Sequence, residues 1–371
     1  MNAPLTTRFD TIIVGAGLAG ACSALALSRE GTVLVLDAGK APAGASRVAA
    51  GIVNPFTGLR AHMIWRAREA LEAFQETLDD TDTAALFTAT GVLRPASDAA
   101  QAAHFEEVAG RFPADATWLT KREAVDRFPG LCMHTGALLT RHGGTVQPDR
   151  FVRAVLAAAQ KNGAVLQEHA RISTWGEDRQ GAFVDTGGSR FYATRVLLTM
   201  GYGYHRFPEL RRLNLHPIKG QVVHVTRPSA LPPAIQIPVA GPTYLAPNAD
   251  TLVVGASYER GFPHTRPTRE VTRGILRRAE ALWPPLRTAR IVQETAGVRV
   301  TTPGTRLPSC GLLPGRNNIW LLTGLGSKGL LLGAYVGHQM PAYMEDPARI
   351  PPELRVTIQP SNRPNSSLLV Q

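Results

Sequence analysis

The sequence has few cysteines. Cys22, Cys132 and Cys310 are the only three in 371 residues, and none forms a C-x-x-C pair. Neither a disulfide framework nor a structural zinc is expected, and no metal site is assigned. Aromatic residues make up only 6% of the chain. No apolar run reaches the ~18 residues of a membrane span. The opening MNAPLTTRFD lacks the basic segment and apolar stretch of a secretory leader, so a cytoplasmic location is expected. No repeat of fixed period is visible. Acidic residues are outnumbered, 29 against 40 Lys and Arg, giving a formal net charge of +11. Such a charge fits anionic ligands or nucleic acid, or a general preference for arginine. The arginines are scattered, with no run longer than Arg211–Arg212 or Arg277–Arg278, and no aromatic-interleaved basic strip occurs.

What is present begins with length and apolar content. At 44% apolar the chain can bury a core, and its length suits two domains. Residues 10–20, DTIIVGAGLAG, run from an apolar strand into glycines spaced G-x-G-x-x-G. Gly15 suits a tight strand-to-helix turn, Gly17 lets backbone approach a pyrophosphate, and Gly20 lets helix and strand pack closely. The helix N-terminus then offers N–H groups to phosphates. Asp37 ends the next apolar strand, TVLVLDAG, 17 residues past Gly20, where a carboxylate could accept from a ribose or cap the strand. Ala16, Leu18, Ala19 and Ala38 complete the two turns. Ser46 and Arg47, in the loop GASRVAAGI, add donors for further phosphate oxygens.

Farther on, helices are expected from Met63 to Leu78, over DAAQAAHFEEVAGRF, LTKREAVDRF and DRFVRAVLAAAQ, and over TREVTRGILRRAEALW. ALFTATGVLRPAS is expected as a hairpin or a strand with a turn. IKGQVVHVT and TYLAPNADTLVVGAS alternate like antiparallel strands around an Asn/Asp turn. NNIWLLTGLGSKGLLLGAYVGHQMPAYM reads as strand, glycine turn and helix. Because a long mixed region replaces regular β–α alternation after the first unit, a flavin nucleotide is favoured over NAD.

At this point the chain resembles the D-amino-acid oxidase superfamily of FAD enzymes, which includes glycine oxidase and sarcosine oxidase. The resemblance rests on DTIIVGAGLAGACSALALSREGTVLVLDAG, SRVAAGI, HPIKGQVVHV with TYLAPNADTLVVGASYE, and AGVRVTTPGTRLPSCGLLPGRNNIWLLTGLGSKGLLLG, in the family's order. GLGSKGLLLGAY and NPFTG are also similar to the FAD-dependent half of the bacterial enzymes that modify 5-carboxymethylaminomethyl-2-thiouridine in tRNA. Here the chain starts directly at the nucleotide strand, so no methyltransferase partner segment is expected.

The resemblance implies an α/β plus α+β architecture. A Rossmann-like FAD-binding domain of the GR2 type would comprise residues 8–80, 145–215 and 290–345. A mostly antiparallel substrate domain would comprise 81–144 and 216–289, and 346–371 would form a loose tail. It implies non-covalent FAD held by Gly15, Gly17, Gly20 and Asp37, with Ser46, Ala50, Gly51 and Ile52 along the pyrophosphate and flavin. Ile172 would meet the adenine, Gly201 would close the nucleotide site, and Gly324, Gly326, Ser327, Lys328, Gly329 and Leu330 would form the turn at the pyrimidine edge. Arg299 in AGVRV matches the family's carboxylate-gripping arginine, although Val300 stands where the family has proline.

The implied chemistry is oxidation of the C–N bond of a small amino acid or a carboxylate-bearing secondary amine. Hydride would pass to flavin N5, and O2 would be the acceptor, giving hydrogen peroxide. Arg299 would anchor the carboxylate, Lys328 would supply positive potential at the flavin edge, and Tyr244 and Tyr258 would shape the pocket. His62, His216 and His264 receive no role. The open alternatives are an amine dehydrogenase delivering electrons to a quinone or carrier, a tRNA wobble-uridine side-chain oxidoreductase, and a flavin-bound sensor without turnover.

Overall fold

The computed structural model describes residues 8–227 and 236–358. Five short strands form the parallel heart of one eight-stranded sheet: Val165–Gln167, Val33–Leu36, Arg8–Val14, Arg190–Leu198 and Ile319–Thr323. Their side chains alternate between two cores. Ile13, Val33, Val35 and Leu197 face one side, and Ile12, Leu34, Leu36 and Val196 face the other. Both faces are covered, so the strands read as continuous apolar runs. Helices Leu18–Leu27, Ala67–Asp80, Pro148–Lys161 and Gly329–Glu345 cover the first face.

Strand Arg190–Leu198 is shared by two neighbours along one edge. Its first half pairs antiparallel with Gly181–Asp185, and its second half pairs parallel with Ile319–Thr323. Its other edge pairs with Arg8–Val14 from Tyr192 to Leu198.

The second eight-stranded sheet runs Ile291–Thr301, His216–Thr226, Thr251–Gly255, Tyr244–Asn248, Val239–Ala240, Val92–Pro95, Gly136–Thr140 and Ala116–Thr120. All its pairings are antiparallel except Val239–Ala240 with Val92–Pro95. Helices Lys121–Arg127 and Arg269–Leu282 pack on one face of this sheet, against Leu93, Leu139, Val223, Val225, Leu245 and Val254. The opposite face carries a small cluster of Val222, Ala246 and Val253, against which Val48, Ala50, Ile52 and Tyr244 pack.

Several local expectations are redrawn. The helix expected from Met63 starts at Ala67, because His62–Met63 pairs with Phe56–Thr57 and Arg66 takes φ of 48°. Of the two readings of 85–97, the hairpin does not form and strands separated by a turn do. Phe87–Thr88 joins a three-stranded sheet, and Val92–Pro95 joins the large antiparallel one, with Gly91 at φ of 77° between them. Ile291–Thr301, grouped above with the nucleotide-binding segments, is an edge strand of the antiparallel sheet, in register with His216–Thr226 from His216↔Thr301 onward. Residues 346–358, read as the start of a loose tail, pack inward, with Ile350 and Leu354 buried. Residues 359–371 lie outside the described residues.

Candidate active site

The site is built from two glycine turns, one loop and one strand end. The first turn follows strand Arg8–Val14. Gly15 takes φ of 108°, and a Cβ there would lie 2.7 Å from the Thr199 carbonyl oxygen. A Cβ on Gly20 would fall 1.8 Å from the Gly15 carbonyl oxygen, so no other residue fits this crossing of helix and turn. Thr199, just past the end of Arg190–Leu198, donates its hydroxyl to the carbonyls of Val14 at 3.0 Å and Gly15 at 2.8 Å. The sequence reading missed this residue. Its signal is a hydroxyl directly after an apolar strand run.

Asp37 is buried, and both its oxygens brace the turns. Oδ2 accepts from the Ala16 N–H at 2.7 Å and Oδ1 from the Gly39 N–H at 2.9 Å. Each carboxylate oxygen keeps a second lone pair. Ser46 Oγ accepts from the Leu18 N–H at 3.1 Å and stands 3.0 Å from where a Gly17 Cβ would be. Ala19 and Gly20 open the helix, whose first-turn N–H groups have no intrahelical acceptor. Arg47 is exposed, Gly51 takes φ of 76°, and Ile172 is buried. Gly201 is exposed with φ of 50° and begins a short 3-10 turn.

The second turn, residues 324–328, leads into helix Gly329–Glu345. Gly324 and Gly326 take φ of 77° and 56°. The Gly326 N–H donates to the Val300 carbonyl at 2.9 Å, hooking the turn onto the strand end one residue past Arg299. Gly329 comes close to the first turn, since a Cβ on it would lie 2.9 Å from Leu18 Cδ1. Ser327 is exposed and Leu330 buried. Lys328 donates to the Arg306 carbonyl at 2.6 Å. Burial and then the Arg306 charge hold its ammonium below the usual lysine range.

Arg299, Tyr244 and Tyr258 come together. The Arg299 guanidinium lies 5.5 Å from the centre of the Tyr258 ring, and Nη2 donates to the Ser257 carbonyl at 3.3 Å. Arg299 lies flat across Gly220, where a Cβ would meet Nη2 at 2.8 Å. Burial pushes the Tyr244 hydroxyl far above its ordinary range, and the nearby Arg299 charge pulls it partly back. Tyr244 therefore remains a neutral hydroxyl at working pH. Tyr258 is 61% exposed at the mouth. Gly297, two residues before Arg299 on the same strand face, approaches the short helix Gly44–Val48, with a Cβ position 3.1 Å from Ala45 Cα. Arg299 thus faces the loop that carries Ser46, Ala50 and Ile52. His62 and His264 are exposed and His216 is half-buried.

The sequence profile of the family described as "DAO: FAD dependent oxidoreductase" matches residues 10–341. The chain belongs to this family. It is an FAD-dependent amino acid or amine oxidoreductase. The chain is 27% identical over 351 residues to glycine oxidase of Geobacillus kaustophilus, with 90% of this chain and 92% of that protein covered. Its fold superposes on the crystal structure of glycine oxidase from that organism with a TM-score of 0.81, at 26% identity, covering 92% of this chain and 95% of that one. The chain is also 30% identical to the tRNA 5-methylaminomethyl-2-thiouridine biosynthesis bifunctional protein MnmC of Polaromonas naphthalenivorans, over 94% of this chain. It spans 60% of that relative's length. Iminodiacetate oxidase from Chelativorans shares the fold, with a TM-score of 0.80 at 22% identity over 94% of this chain and 99% of that one.

The residues fit FAD. The first turn offers backbone N–H groups, and the Ser46 hydroxyl, having accepted from Leu18, still has its own proton to donate to a phosphate. Around the second turn, the hydroxyls of Thr302 and Thr323 are buried without a hydrogen-bond partner, as is that of Thr295 on the Arg299 strand. Among the described residues no helix is long and apolar enough to cross a membrane, and no group of His, Cys, Asp and Glu could hold a metal ion.

Proposed function

We propose that this enzyme oxidises the C–N bond of a small amino acid or a carboxylate-bearing secondary amine, with O2 as the final acceptor and hydrogen peroxide as a product. The observation that carries the reading is the convergence of Arg299, Tyr244 and Tyr258 on the face that meets the cofactor loop. Bound FAD would supply the acceptor for the hydride that leaves the substrate carbon next to nitrogen. The protein's part is to place that carbon. Arg299 binds the carboxylate through two parallel N–H donors, which fixes orientation as well as affinity. Tyr244, held neutral, donates to the same carboxylate. Tyr258 covers the guanidinium and excludes water from one side of the ion pair. No histidine is needed as a base when the amine enters neutral. Lys328, tied to Arg306, steadies the second turn and adds positive potential there.

The test is anaerobic bleaching of the holoenzyme's flavin by a panel of amino acids and N-methyl amino acids, followed by peroxide assay in air. Arg299→Ala should raise KM for acids about 100-fold, the loss of about 2.7 kcal/mol expected for a charge-assisted pair, and leave the visible flavin spectrum intact. Bleaching without peroxide assigns the electrons to a quinone or carrier instead. Failure of every amine in the panel to bleach leaves a flavin-bound sensor or an enzyme acting on a tRNA side chain, and unchanged acid KM in Arg299→Ala removes the anchor assignment.

A second reading follows from the tRNA-modifying relative and from surface charge. Arg269, Arg273 and Arg277 are exposed at i, i+4 and i+8 along helix Arg269–Leu282, which begins eleven residues after Tyr258. In this reading the amine is the side chain of a modified uridine, and the arginine ridge binds the RNA backbone. Its test is tRNA binding at varied salt, where each released phosphate contact steepens the log–log slope by ~0.7 to 0.9.

A further inference from the structure

Behind Arg299, on the opposite face of the same strands, lies an ion pair between a buried lysine and a partly exposed glutamate, to which the reaction assigns nothing. Lys219 is 1% exposed, and its Nζ donates to Glu259 Oε2 at 3.1 Å. Glu259 Oε1 accepts from the Ser257 hydroxyl at 2.6 Å. Ser257 Oγ in turn accepts from the Gln221 N–H at 2.9 Å. The backbones are also joined. Lys219 and Glu259 exchange N–H donors to each other's carbonyl at 2.9 Å in both directions, and the Ser257 N–H donates to the Gln221 carbonyl at 3.1 Å.

The arrangement follows the two-residue period of a strand. Ser257 and Glu259 turn their side chains to the Lys219 face. Tyr258, between them, is left on the Arg299 face, 5.5 Å beneath the guanidinium, and the Ser257 carbonyl accepts from Arg299 Nη2. Gly220, over which Arg299 lies, sits between the two residues that hold this segment, Lys219 and Gln221. A Lys–Glu pair whose lysine is taken out of water adds little net stability over an apolar pair of similar volume. Stability alone therefore gives no reason for a charge pair at this place.

We infer that Lys219 and Glu259 are positioning residues that hold the Ser257–Tyr258 segment as the seat of the Arg299 guanidinium, and so set the enzyme's selectivity for a carboxylate substrate. The inference rests on the reading of Arg299 as the carboxylate anchor. Without the pair, Arg299 still carries its charge but loses a fixed direction, so carboxylate binding weakens while binding of an uncharged analogue does not.

The experiment measures, by calorimetry on the FAD-replete holoenzyme, the affinities of glycolate and of its neutral counterpart glycolamide. In the double variant Lys219→Met/Glu259→Gln, which leaves no unpaired buried charge, glycolate should bind about tenfold more weakly and glycolamide as in the wild type. KM for the best acid substrate should rise by a similar factor, with kcat changed less than threefold. The single variant Glu259→Asp keeps the charge pair but shortens its reach and should weaken glycolate about threefold, which provides the test should the double variant fail to fold. A purely structural role would lower the melting temperature or flavin content but leave the glycolate-to-glycolamide ratio unchanged. A ratio within twofold of wild type in a folded variant overturns the inference. Arg299→Ala, run in parallel, separates the two claims. If it abolishes the preference for glycolate while the Lys219 and Glu259 variants keep it, the positioning role alone is wrong. If it too keeps the preference, or if wild type binds no glycolate, the anchor reading falls and the positioning role with it.

Discussion

Gly220 and Arg299 occupy one space: a Cβ on Gly220 would lie 2.8 Å from Nη2 and 3.2 Å from Cζ of the guanidinium. The obstructed group is the far end of a flexible side chain, and Gly220 sits in a strand without a left-handed φ. Gly220→Ala should therefore fold as well as wild type, or better by ~0.5 kcal/mol through a less flexible unfolded chain. The displaced guanidinium should raise KM for acid substrates about tenfold, worth ~1.4 kcal/mol. Thermal melting together with steady-state kinetics checks both halves.

The first glycine turn makes a different prediction. Gly20→Ala would force a methyl group to 1.8 Å from the Gly15 carbonyl and 2.7 Å from Thr199 Oγ1. It should cost about 4 kcal/mol and remove most bound FAD. Gly17→Ala meets only the Ser46 hydroxyl, at 3.0 Å, and should weaken FAD while sparing the apoprotein. Flavin content per protein and the melting temperature of apoprotein and holoenzyme distinguish the two.

The cysteines predict a pH effect. Burial pushes the thiols of Cys22 and Cys310 up from 9.0 to about 12, whereas Cys132 is partly exposed. Iodoacetamide should label Cys132 in the native protein and the other two only after unfolding. Above pH 9 the unfolded chain has released these two protons while the folded chain holds them until about 12. The unfolded state then binds fewer protons, so these thiols lower stability as pH rises through that window. A flat alkylation pattern across all three cysteines would contradict this.

Arg94 holds the loop at Phe56–Gly58. It is buried, stacked over Phe105 at 5.3 Å, and donates to the carbonyls of Phe56 and Gly58. Arg94→Lys cannot span both acceptors and should cost about 2 kcal/mol. Amide exchange should rise at residues 56–62 before it rises in the parallel sheet.

Much of the fold could be read locally, because the signals lie within short stretches. The apolar run and three glycines fix the first unit. The caps Asp98, Thr120 and Thr268 open helices where the apolar period begins. Arg299 was found through resemblance and Tyr244 and Tyr258 from the alternating strands that carry them, and the structure brings the three together. What stayed hidden depends on distant pairing. Thr199 meets Val14 and Gly15 across some 185 residues, and Lys219 meets Glu259 across 40. No local period marks either contact. The edge strand Ile291–Thr301 was misplaced for the same reason, since its partner lies 66 to 85 residues earlier. Asp37 showed the opposite ambiguity: either a cap or a ribose acceptor was compatible with its position, and its oxygens do brace backbone N–H groups.

Strand Arg190–Leu198 lies between the amino-terminal strand and Ile319–Thr323, and Thr199 at its end closes the turn at Gly15. During synthesis, the first forty residues therefore emerge long before the parts that complete their own turn. A nascent chain still lacking residue 199 has no lock on that turn, and one lacking 324–329 has only half of the pocket. Any coenzyme contact that needs the locked turn thus has to wait until residue 199 is made, 184 residues after Gly15.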